Sequence, residues 1–191
     1  MITPYLLLAG AVALMAGLYV LVQYNGLVNL RNYIRESWSN VDTELRRRYD
    51  LIPNLVATVK GYAAHEREVL ERVTNQRSRC ILSTGSPGEQ ARDEVQLVDA
   101  LKQLLAVVES YPPLKADQHF LQLQRELVTT ENRIQAARRF YNGNVRDYQN
   151  KRETFPSNLV AGLFHFPPAE FFTVPPSMQE VPNVEFEVKP V

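Results

Sequence analysis

The chain begins with a long apolar run, and alternation of apolar and polar positions starts only after it. Tyr5–Val22 contains eighteen residues and no charged side chain. As an α-helix this run would rise about 27 Å, close to the roughly 30 Å hydrocarbon thickness of a bilayer. Thr3 and Pro4 are typical of the N-cap and the first position of a helix. The pattern therefore predicts an N-terminal transmembrane helix.

A cleaved secretory signal is the alternative interpretation of the same run. Ala9–Ala11 and Ala11–Ala13 resemble cleavage sites, but both lie inside the apolar run, and Met1–Pro4 has no positive residue. We therefore favour a retained anchor. Small residues also recur at every fourth position, at Ala9, Ala13 and Gly17. This spacing lets membrane helices approach closely, but small residues are common in such helices, so the spacing alone does not predict pairing.

Beyond the anchor, apolar residues recur at intervals of three or four in four segments, which predicts amphipathic helices. The first contains Leu27, Leu30, Ile34, Trp38, Val41, Leu45 and Tyr49; the second Leu55, Val59, Tyr62, Val69, Val73 and Cys80; the third Val95, Val98, Leu101, Leu104, Leu105 and Val108; and the fourth Phe120, Leu123, Leu127, Ile134, Ala137, Tyr141 and Tyr148. No segment has the sustained two-residue alternation of a β-strand.

Residues that cap or break helices separate these segments. Proline disfavours helical geometry in the residue before it, and Asp50 can cap a restarting helix, so we expect a break between Asp50 and Pro53. Ser86–Glu89 has the pattern of a capping box, and Tyr111–Pro113 should follow the end of the third helix. Gly61 lies within the second stripe, where glycine costs about 1 kcal/mol relative to alanine, and this predicts close backbone packing there.

These elements predict an all-α protein in three parts. Residues 1–25 form the N-terminal flank and transmembrane anchor, residues 26–153 an antiparallel four-helix bundle with short connections, and residues 154–191 an apolar capping segment with an irregular Pro-rich acidic tail. Phe155–Phe166 is apolar and contains a short helix that either caps the bundle or lies on the membrane surface. We favour capping, because the segment lacks the basic face typical of lipid-binding helices.

The distribution of charge predicts orientation and limits the partners. The N-terminal flank has no Lys or Arg, whereas Arg31, Arg35 and Arg46–Arg48 follow the anchor, so positive-inside bias places the body in the cytoplasm and the N-terminus outside. The chain has 21 basic and 21 acidic residues, which argues against nucleic-acid binding. Cys80 is the single cysteine, so no internal disulfide forms, as is usual in a reducing compartment.

The motifs of common enzymes and metal proteins are incomplete in this sequence. His65-Glu66 begins a zinc-peptidase motif, but Val69 occupies the place of its second histidine. The di-iron pattern Glu-x-x-His fails at all three histidines, which are preceded three positions earlier by Tyr62, Ala116 and Gly162. Neither glycine-rich nucleotide loop occurs. We therefore predict a protein without catalytic activity, cofactor or metal.

A group of polar residues around the predicted break is the candidate site. Its members are Arg46, Arg47, Arg48, Asp50, Asn54, Lys60, Asn132 and Arg139. Such residues either cap the chain and bond between helices at a turn, or form a patch that docks a partner. We favour the structural role, because Asp50 and Asn54 flank Pro53. For the three consecutive arginines, surface salt bridges are favoured over contacts to anionic headgroups or an acidic partner.

Several segments together resemble the LemA family of bacterial membrane proteins. They are Tyr24–Asn32, Trp38–Asp42, Arg46–Val56, Val59–Tyr62, His65-Glu66, Glu131–Ile134, Ala137–Arg139, Tyr141-Asn142 and Phe155–Asn158. The resemblance implies an N-terminal membrane helix in the bacterial inner membrane, a cytoplasmic antiparallel four-helix bundle, and no established catalytic residues. Gln149, where the family usually has asparagine, and Thr173–Pro175, in place of a more acidic stretch, depart from the pattern in or near the tail.

The leading functional hypothesis is a membrane-anchored helical scaffold or adaptor that binds a protein partner through its bundle. The alternative is a membrane-organising or envelope-stress protein that acts by self-association and lipid contact. A hydrolase or metalloprotein is less favoured, because the sequence has no nucleophile–base pair or ligand set.

Overall fold

The computed structural model describes residues 3–173. Its elements are all helices, namely α1 (Thr3–Tyr62), α2 (Arg67–Leu82), α3 (Pro87–Val108), α4 (Pro112–Lys115), α5 (Gln118–Glu153) and α6 (Ser157–Leu163). The prediction of an all-α chain that begins with a long apolar helix is therefore confirmed for this part of the chain. Most of the Pro-rich tail, from residue 174 onward, lies outside the described residues.

The first part of α1 has the composition and length of a membrane-spanning helix. An 18-residue stretch near its N-terminus has a mean hydropathy of 1.9, and none of its residues is fully buried in the rest of the protein. Leu7 and Leu14, for example, are 76% and 65% exposed. By length and composition, α1 is therefore able to cross a membrane.

The predicted break between Asp50 and Pro53 is wrong, because α1 continues through Pro53 to Tyr62. Tyr49, Ile52 and Leu55 are all buried, so one apolar stripe continues across the proline in the register of a single helix. Burial of this stripe outweighs the cost of a proline in a helix interior, about 3 kcal/mol. The chain therefore leaves the helical conformation not at Pro53 but after Tyr62.

The end of α1 corrects two expectations about the second stripe. Gly61 lies one residue before the end of the helix, and a Cβ atom added to it would meet nothing within 4 Å, so the predicted close packing is wrong. Tyr62, expected on the apolar stripe, is 44% exposed. Its hydroxyl donates a hydrogen bond to Asp117 Oδ2 at 2.9 Å. The chain then leaves the helix, and α2 begins at Arg67.

The start of α3 confirms the predicted capping box. The Ser86 hydroxyl accepts a bond from the Glu89 amide at 3.5 Å, and the Ser86 amide donates to Glu89 Oε2 at 3.0 Å. Pro87 occupies the first turn, where a missing amide hydrogen costs nothing. The helix ends at Val108, before Tyr111–Pro113 as predicted.

The described residues divide into two compact units, of which the first contains residues 3–51 and 123–171. Its buried apolar residues come from α1, α5 and the α6 region: Leu27, Val41, Leu45, Tyr49, Leu127, Ile134, Tyr141, Val145, Tyr148, Val160, Ala161 and Phe166. Trp38, expected at the centre of the first stripe, is only partly buried, and its ring lies 5.2 Å from that of Tyr141. The neighbouring Ser37 is fully buried and donates to the Tyr33 carbonyl at 2.7 Å.

The second unit contains residues 52–122, with 172 and 173. Its buried residues include Ile52, Leu55, Val59, Leu70, Val73, Cys80, Leu97, Leu101, Leu104, Val108, Leu114 and Phe120. Polar contacts join α2 to α3: Arg79 Nε lies 2.9 Å from Asp93 Oδ1, and the Ser83 hydroxyl donates to Asp93 Oδ2 at 2.7 Å. Within this unit, α2 and α3 pack against each other.

The segment after α6 is held by side chains of α5. Four of them donate to consecutive or nearby carbonyls: Tyr141 to Glu170, Tyr148 to Pro167, Gln149 to Ala169 and Arg152 to Phe166, at 2.7–3.0 Å. Two prolines in this segment have no amide hydrogen, so it cannot continue as a regular helix. The side chains of α5 supply the hydrogen bonds that a helix would otherwise provide.

Candidate functional site

Arg46 and Arg47 lie on the solvent side of α1. Arg46 Nε donates to Asp42 Oδ2 at 2.9 Å, and Arg47 Nη1 lies 3.4 Å from Glu44 Oε2. The hydrogen bond to Asp42, followed by the charge of that carboxylate, raises the pKa of Arg46. The two side chains are 73% and 45% exposed. Exposed pairs one helical turn apart contribute little to folding, so these guanidinium groups remain accessible to another molecule.

Arg48 has a different environment from its two neighbours. It is 1% exposed, and its Nη1 lies 2.7 Å from Oε1 of Glu131 on α5. Arg138 lies seven residues after Glu131 on α5, about two helical turns, and its charge interacts with those of Arg48 and Glu131. Burial, and then the charge of Arg48, lowers the pKa of Arg138, while Glu131 opposes this shift. For Arg48 the prediction of a surface salt bridge is therefore wrong: the residue is part of the packing between α1 and α5.

The remaining members of the predicted cluster are exposed and belong to different parts of the fold. Asp50, Asn132 and Arg139 lie in the first unit, and Asn54 and Lys60 lie in the second. Because α1 does not break at Pro53, Asp50 is an interior helix residue and the cap proposed for it is not needed. Arg48 makes a hydrogen bond between helices of the kind proposed, to Glu131, a partner that sequence spacing did not identify. The role of the whole cluster stays a prediction.

Two hydrogen bonds in the second unit involve acidic residues that the sequence did not single out for this role. Asp117 is the N-cap of α5, where its Oδ1 accepts from the Phe120 amide at 2.9 Å. This bond, followed by that from Tyr62, lowers the pKa of Asp117. Glu66 accepts a bond from the Tyr111 hydroxyl at 3.2 Å. Burial, and then this bond, raises the pKa of Tyr111. Both pairs tie loops to helix ends.

Among residues 3–173, no group of three His, Cys, Asp or Glu side chains converges on a point where a metal ion would bind. A shallow cleft of about 470 Å³ lies beside α6, between Arg152, Asn158, His165 and Phe166. Its lining also includes Glu153 but contains no Ser, Thr, Cys or Lys side chain, and Cys80 is buried in the second unit. The described geometry thus offers surfaces and ion pairs rather than an enclosed reaction site.

Comparison with known families decides the relationship of this chain. The sequence profile of the LemA family matches residues 37–186, most of the chain. The chain belongs to the LemA family. The match begins within α1, beyond the apolar run, and extends through α6 into the tail. The resemblance seen in the sequence is therefore confirmed.

Curated relatives carry two kinds of name. "Magnetosome protein MamQ 2" of Paramagnetospirillum magneticum is 26% identical over 183 residues, covering 83% of this chain and 67% of the relative. "Magnetosome protein MamQ" of Magnetospirillum gryphiswaldense is 22% identical with the same coverage. "Protein LemA" of Metamycoplasma hominis is 30% identical over 139 residues, covering 72% of this chain and 63% of the relative. None of these names describes an enzyme.

In this LemA-family chain, the segments that resemble the family include both partners of the buried ion pair. Arg48 lies in the Arg46–Val56 segment and Glu131 begins the Glu131–Ile134 segment. The two residues are 83 positions apart in the sequence, and the 2.7 Å bond brings them together in the fold. Gln149, a departure from the family pattern, donates to the Ala169 carbonyl at 2.8 Å, so the longer amide holds the segment after α6.

Proposed function

We propose that the protein is a membrane-anchored, non-catalytic helical scaffold or adaptor of the LemA type. The observation that supports this most strongly is α1 itself: one continuous helix carries an exposed apolar stretch followed by residues of a packed core. An apolar stretch of this length is costly to leave in water, and a bilayer removes that cost. The proposed role of the body is to present a fixed surface to a protein partner beside the membrane.

The antiparallel arrangement of the helices is part of this proposal. For α1 and α5 it is supported by the order of their contacts, which pair Gly26 with Lys151, Tyr33 with Asn144, Trp38 with Tyr141, and Arg48 with Glu131. Residue numbers on α5 fall as those on α1 rise, as expected for antiparallel neighbours. A four-helix bundle of α1, α2, α3 and α5 remains a prediction.

The proposed docking surface is narrower than the cluster first considered. Arg48 is buried, so its substitution would disturb folding, whereas Arg46 and Arg47 are exposed. The test replaces Arg46 and Arg47 with glutamine in the full chain, and Arg67 and Arg72, exposed on α2, in a matched control. Partners are then quantified after cross-linking in native membranes, with the thermal midpoint of unfolding measured for each variant.

We expect the first pair of substitutions to remove a cross-linked partner while the thermal midpoint stays unchanged, and the control pair to retain that partner. An unchanged partner in the first variant would exclude docking through Arg46 and Arg47. An equal loss in both variants would show a general effect of positive charge rather than a defined surface.

We further propose that the protein lies in the bacterial inner membrane with the body in the cytoplasm. The arginines that follow the apolar run, including Arg31 and Arg35, support this orientation by the positive-inside rule. Fusion of green fluorescent protein to the C-terminus should give fluorescence, and fusion of alkaline phosphatase should give no activity. The opposite result would reverse the topology.

The membrane-organising alternative has one specific observation in its favour. Large apolar side chains remain exposed on α6, where Leu159 and Leu163 are 64% and 68% exposed. Exposed apolar patches mark membrane or protein interaction sites, and lipid contact is one of these. Self-association is tested by measuring the mass of the full chain in detergent or nanodiscs; a monomer would remove that part of the alternative.

A further inference from the structure

The short helix α6 has apolar side chains on two sides. Val160 and Ala161 are buried in a cluster with Leu27, Tyr148 and Phe166. On the other side, Leu159 and Leu163 are one helical turn apart and remain mostly exposed, together with Phe155 at 75% and Phe164 at 46%. We call these four exposed residues the outer face of α6. Burial of the inner side explains why α6 folds against α1 and α5, but it does not explain why Phe155, Leu159 and Leu163 of the outer face are apolar.

The outer face lies at the level where the apolar run of α1 ends. The Tyr24 ring makes edge-to-face contacts with Phe164 and Phe166, at centroid distances of 4.9 and 5.6 Å. Tyr19 and Val20, within the apolar run, also pack against the cluster that holds α6. Since the run ends at Val22, a bilayer around this run would place α6 beside its surface.

Basic side chains from α1 and α5 surround the same region. The Arg31 guanidinium lies 5.4 Å from the centroid of the Phe166 ring, and Arg152 Nε donates to the Phe166 carbonyl at 3.0 Å. The Lys151 ammonium lies against Gly26. Gly26 is about 6 Å of helix beyond Val22, which is within the roughly 5–7 Å depth of one interfacial layer.

The charge pattern changes the sequence-based argument against lipid contact. From the sequence, capping of the bundle was favoured because residues 155–166 lack a basic face of their own. In the fold, however, basic groups from α1 and α5 lie beside these residues. Residues 154–169 also contain no acidic side chain. Insertion of the outer face itself would therefore not desolvate a carboxylate, whereas Glu153, 67% exposed and 3.5 Å from Arg152 Nη1, would stay on the aqueous side.

We propose that the outer face of α6 inserts into the acyl–headgroup boundary of the same bilayer that α1 spans, with Lys151 and Arg152 facing anionic headgroups. This inference rests on the proposed membrane anchoring. Amphipathic helices at an interface bury their apolar side about 5–10 Å deep, a depth that leucine and phenylalanine side chains suit. The bilayer is the favoured occupant because Tyr24, at the end of the apolar run, contacts Phe164 of this face directly.

The test uses the full chain with single introduced cysteines and a nitroxide label, reconstituted in vesicles of equal parts phosphatidylcholine and phosphatidylglycerol. Cys80 is 5% exposed, so the unsubstituted chain serves as the labelling blank. The test positions are Leu159→Cys and Leu163→Cys. Collisions with oxygen, which concentrates in lipid, are compared with collisions with a nickel chelate, which stays in water.

Two control positions define the scale. Leu14→Cys lies in the apolar run and reports whether the anchor is in lipid. Phe140→Cys is also an exposed apolar position, 60% exposed, but its neighbour Tyr141 contacts Trp38, about 24 Å of helix beyond Val22. It should therefore report the aqueous side.

We expect the labels at 159 and 163 to collide with oxygen several-fold more than with the chelate, relative to the label at 140. Collisions with the chelate equal to those at 140 would overturn the inference while a lipid-exposed label at 14 still supports the anchor. Protection from both reagents would show that a second protein or a second copy covers the face, and would also overturn it. A label at 14 that the chelate reaches would refute the anchor itself.

Discussion

Arg48 shows how much one residue depends on its environment in this fold. It is buried to 1% exposure between α1 and α5, while Arg46 and Arg47 beside it are in solvent. Its partner Glu131 retains 32% exposure of its side chain. A buried ion pair does not by itself make a protein more stable, but removing one partner leaves a charge without compensation. Substitutions at these three consecutive arginines should therefore have very different effects on the free energy of unfolding.

Substitution of Arg48 by methionine should lower the free energy of unfolding by about 2–4 kcal/mol. Breaking a fully buried pair costs about 3–5 kcal/mol, and the partial exposure of Glu131 reduces that cost. Arg47→Met, at an exposed position, should change it by less than about 0.5 kcal/mol. Urea unfolding followed by the fluorescence of Trp38, the single tryptophan, measures both variants. Equal small effects would show that the buried pair is dispensable.

His165 adopts a backbone conformation that side chains disfavour. Its φ is 53°, in the left-handed region, directly after α6. The His165 amide donates to the Gly162 carbonyl at 3.3 Å and the Phe166 amide to the Ala161 carbonyl at 3.0 Å, the two bonds of a Schellman motif. Glycine is the usual residue at this place because it has no Cβ.

Replacing His165 with glycine should raise the free energy of unfolding by about 0.5–1 kcal/mol, since the left-handed conformation costs a non-glycine residue about 1–2 kcal/mol. His165→Ala keeps a Cβ and should bring no such gain, which makes it the matched control. Chemical denaturation of the three proteins under identical conditions measures the difference. A loss of stability with glycine would mean that the imidazole makes a contact worth more than the strain.

At the scale of elements, α1 and α5 are the two long helices. Burial of their apolar stripes explains why they continue through residues of poor helix propensity. α5 contains Gly143 in its interior, and α1 contains Gly26 and Pro53. A Cβ added at Gly143 would meet nothing within 4 Å, whereas one at Gly26 would meet the Lys151 side chain. The two glycines therefore have different structural roles.

Gly143→Ala should raise the free energy of unfolding by about 0.5–1 kcal/mol, because alanine restricts the unfolded chain and fits the helix without displacement. Gly26→Ala should bring a smaller gain, since Lys151 must move. Thermal unfolding of both variants, compared with the native chain, tests this difference. A destabilised Gly143→Ala variant would indicate that another molecule approaches the backbone there.

The N-terminus of α5 should add a pH-dependent contribution to stability. The pKa of Asp117 is lowered by the bond from the Phe120 amide and then by that from Tyr62. The folded state therefore favours the carboxylate, and this stabilisation is present above the ordinary aspartate pKa of about 3.9 and is lost as the pH falls through the lower folded value.

Asp117→Ala should thus have a lower thermal midpoint than the native chain at neutral pH, and the difference should narrow below a pH of about 4. Asp117→Asn keeps an acceptor for the helix cap, so its thermal midpoint at neutral pH should lie between those of Asp117→Ala and the native chain. Thermal scans across this pH range test the prediction. A difference that stays constant with pH would show that the charge of Asp117 is not involved.

At the scale of the whole molecule, the apolar start of α1 supports the proposed membrane anchoring. We expect the full chain to remain in the membrane pellet after extraction with alkaline carbonate. Substituting aspartate at both Leu14 and Leu18, which are exposed in the apolar stretch, should release it, because a charged group at the centre of a membrane helix costs about 2.5–3.5 kcal/mol or more. Release of the native chain would show peripheral attachment instead.

Much of the fold followed from sequence periodicity. Many residues that were expected on apolar stripes are buried: Leu27, Val41, Leu45, Val73, Leu101, Leu104, Ile134 and Tyr148. The capping box at Ser86 and the end of α3 followed from local rules that involve neighbouring residues. The break at Pro53 was wrong because that local rule was outweighed by burial on both sides of the proline. Trp38 lies on a predicted apolar stripe but is only half-buried, because the burial of a side chain also depends on which residues pack against it.

The sequence by itself determined the features that depend on residues close together in the chain. These are the apolar N-terminal stretch, the amphipathic helices, the capping box at Ser86 and the family. Only the tertiary structure decided which side chains meet across helices. The spacing of Arg48 from Leu45 and Ile52 places it on the buried side of α1, but its partner Glu131 lies 83 residues away in the chain. The same holds for α6, whose basic surroundings come from α1 and α5 rather than from its own sequence. Local interactions can be inferred from spacing, whereas contacts between distant segments depend on how buried surfaces fit together.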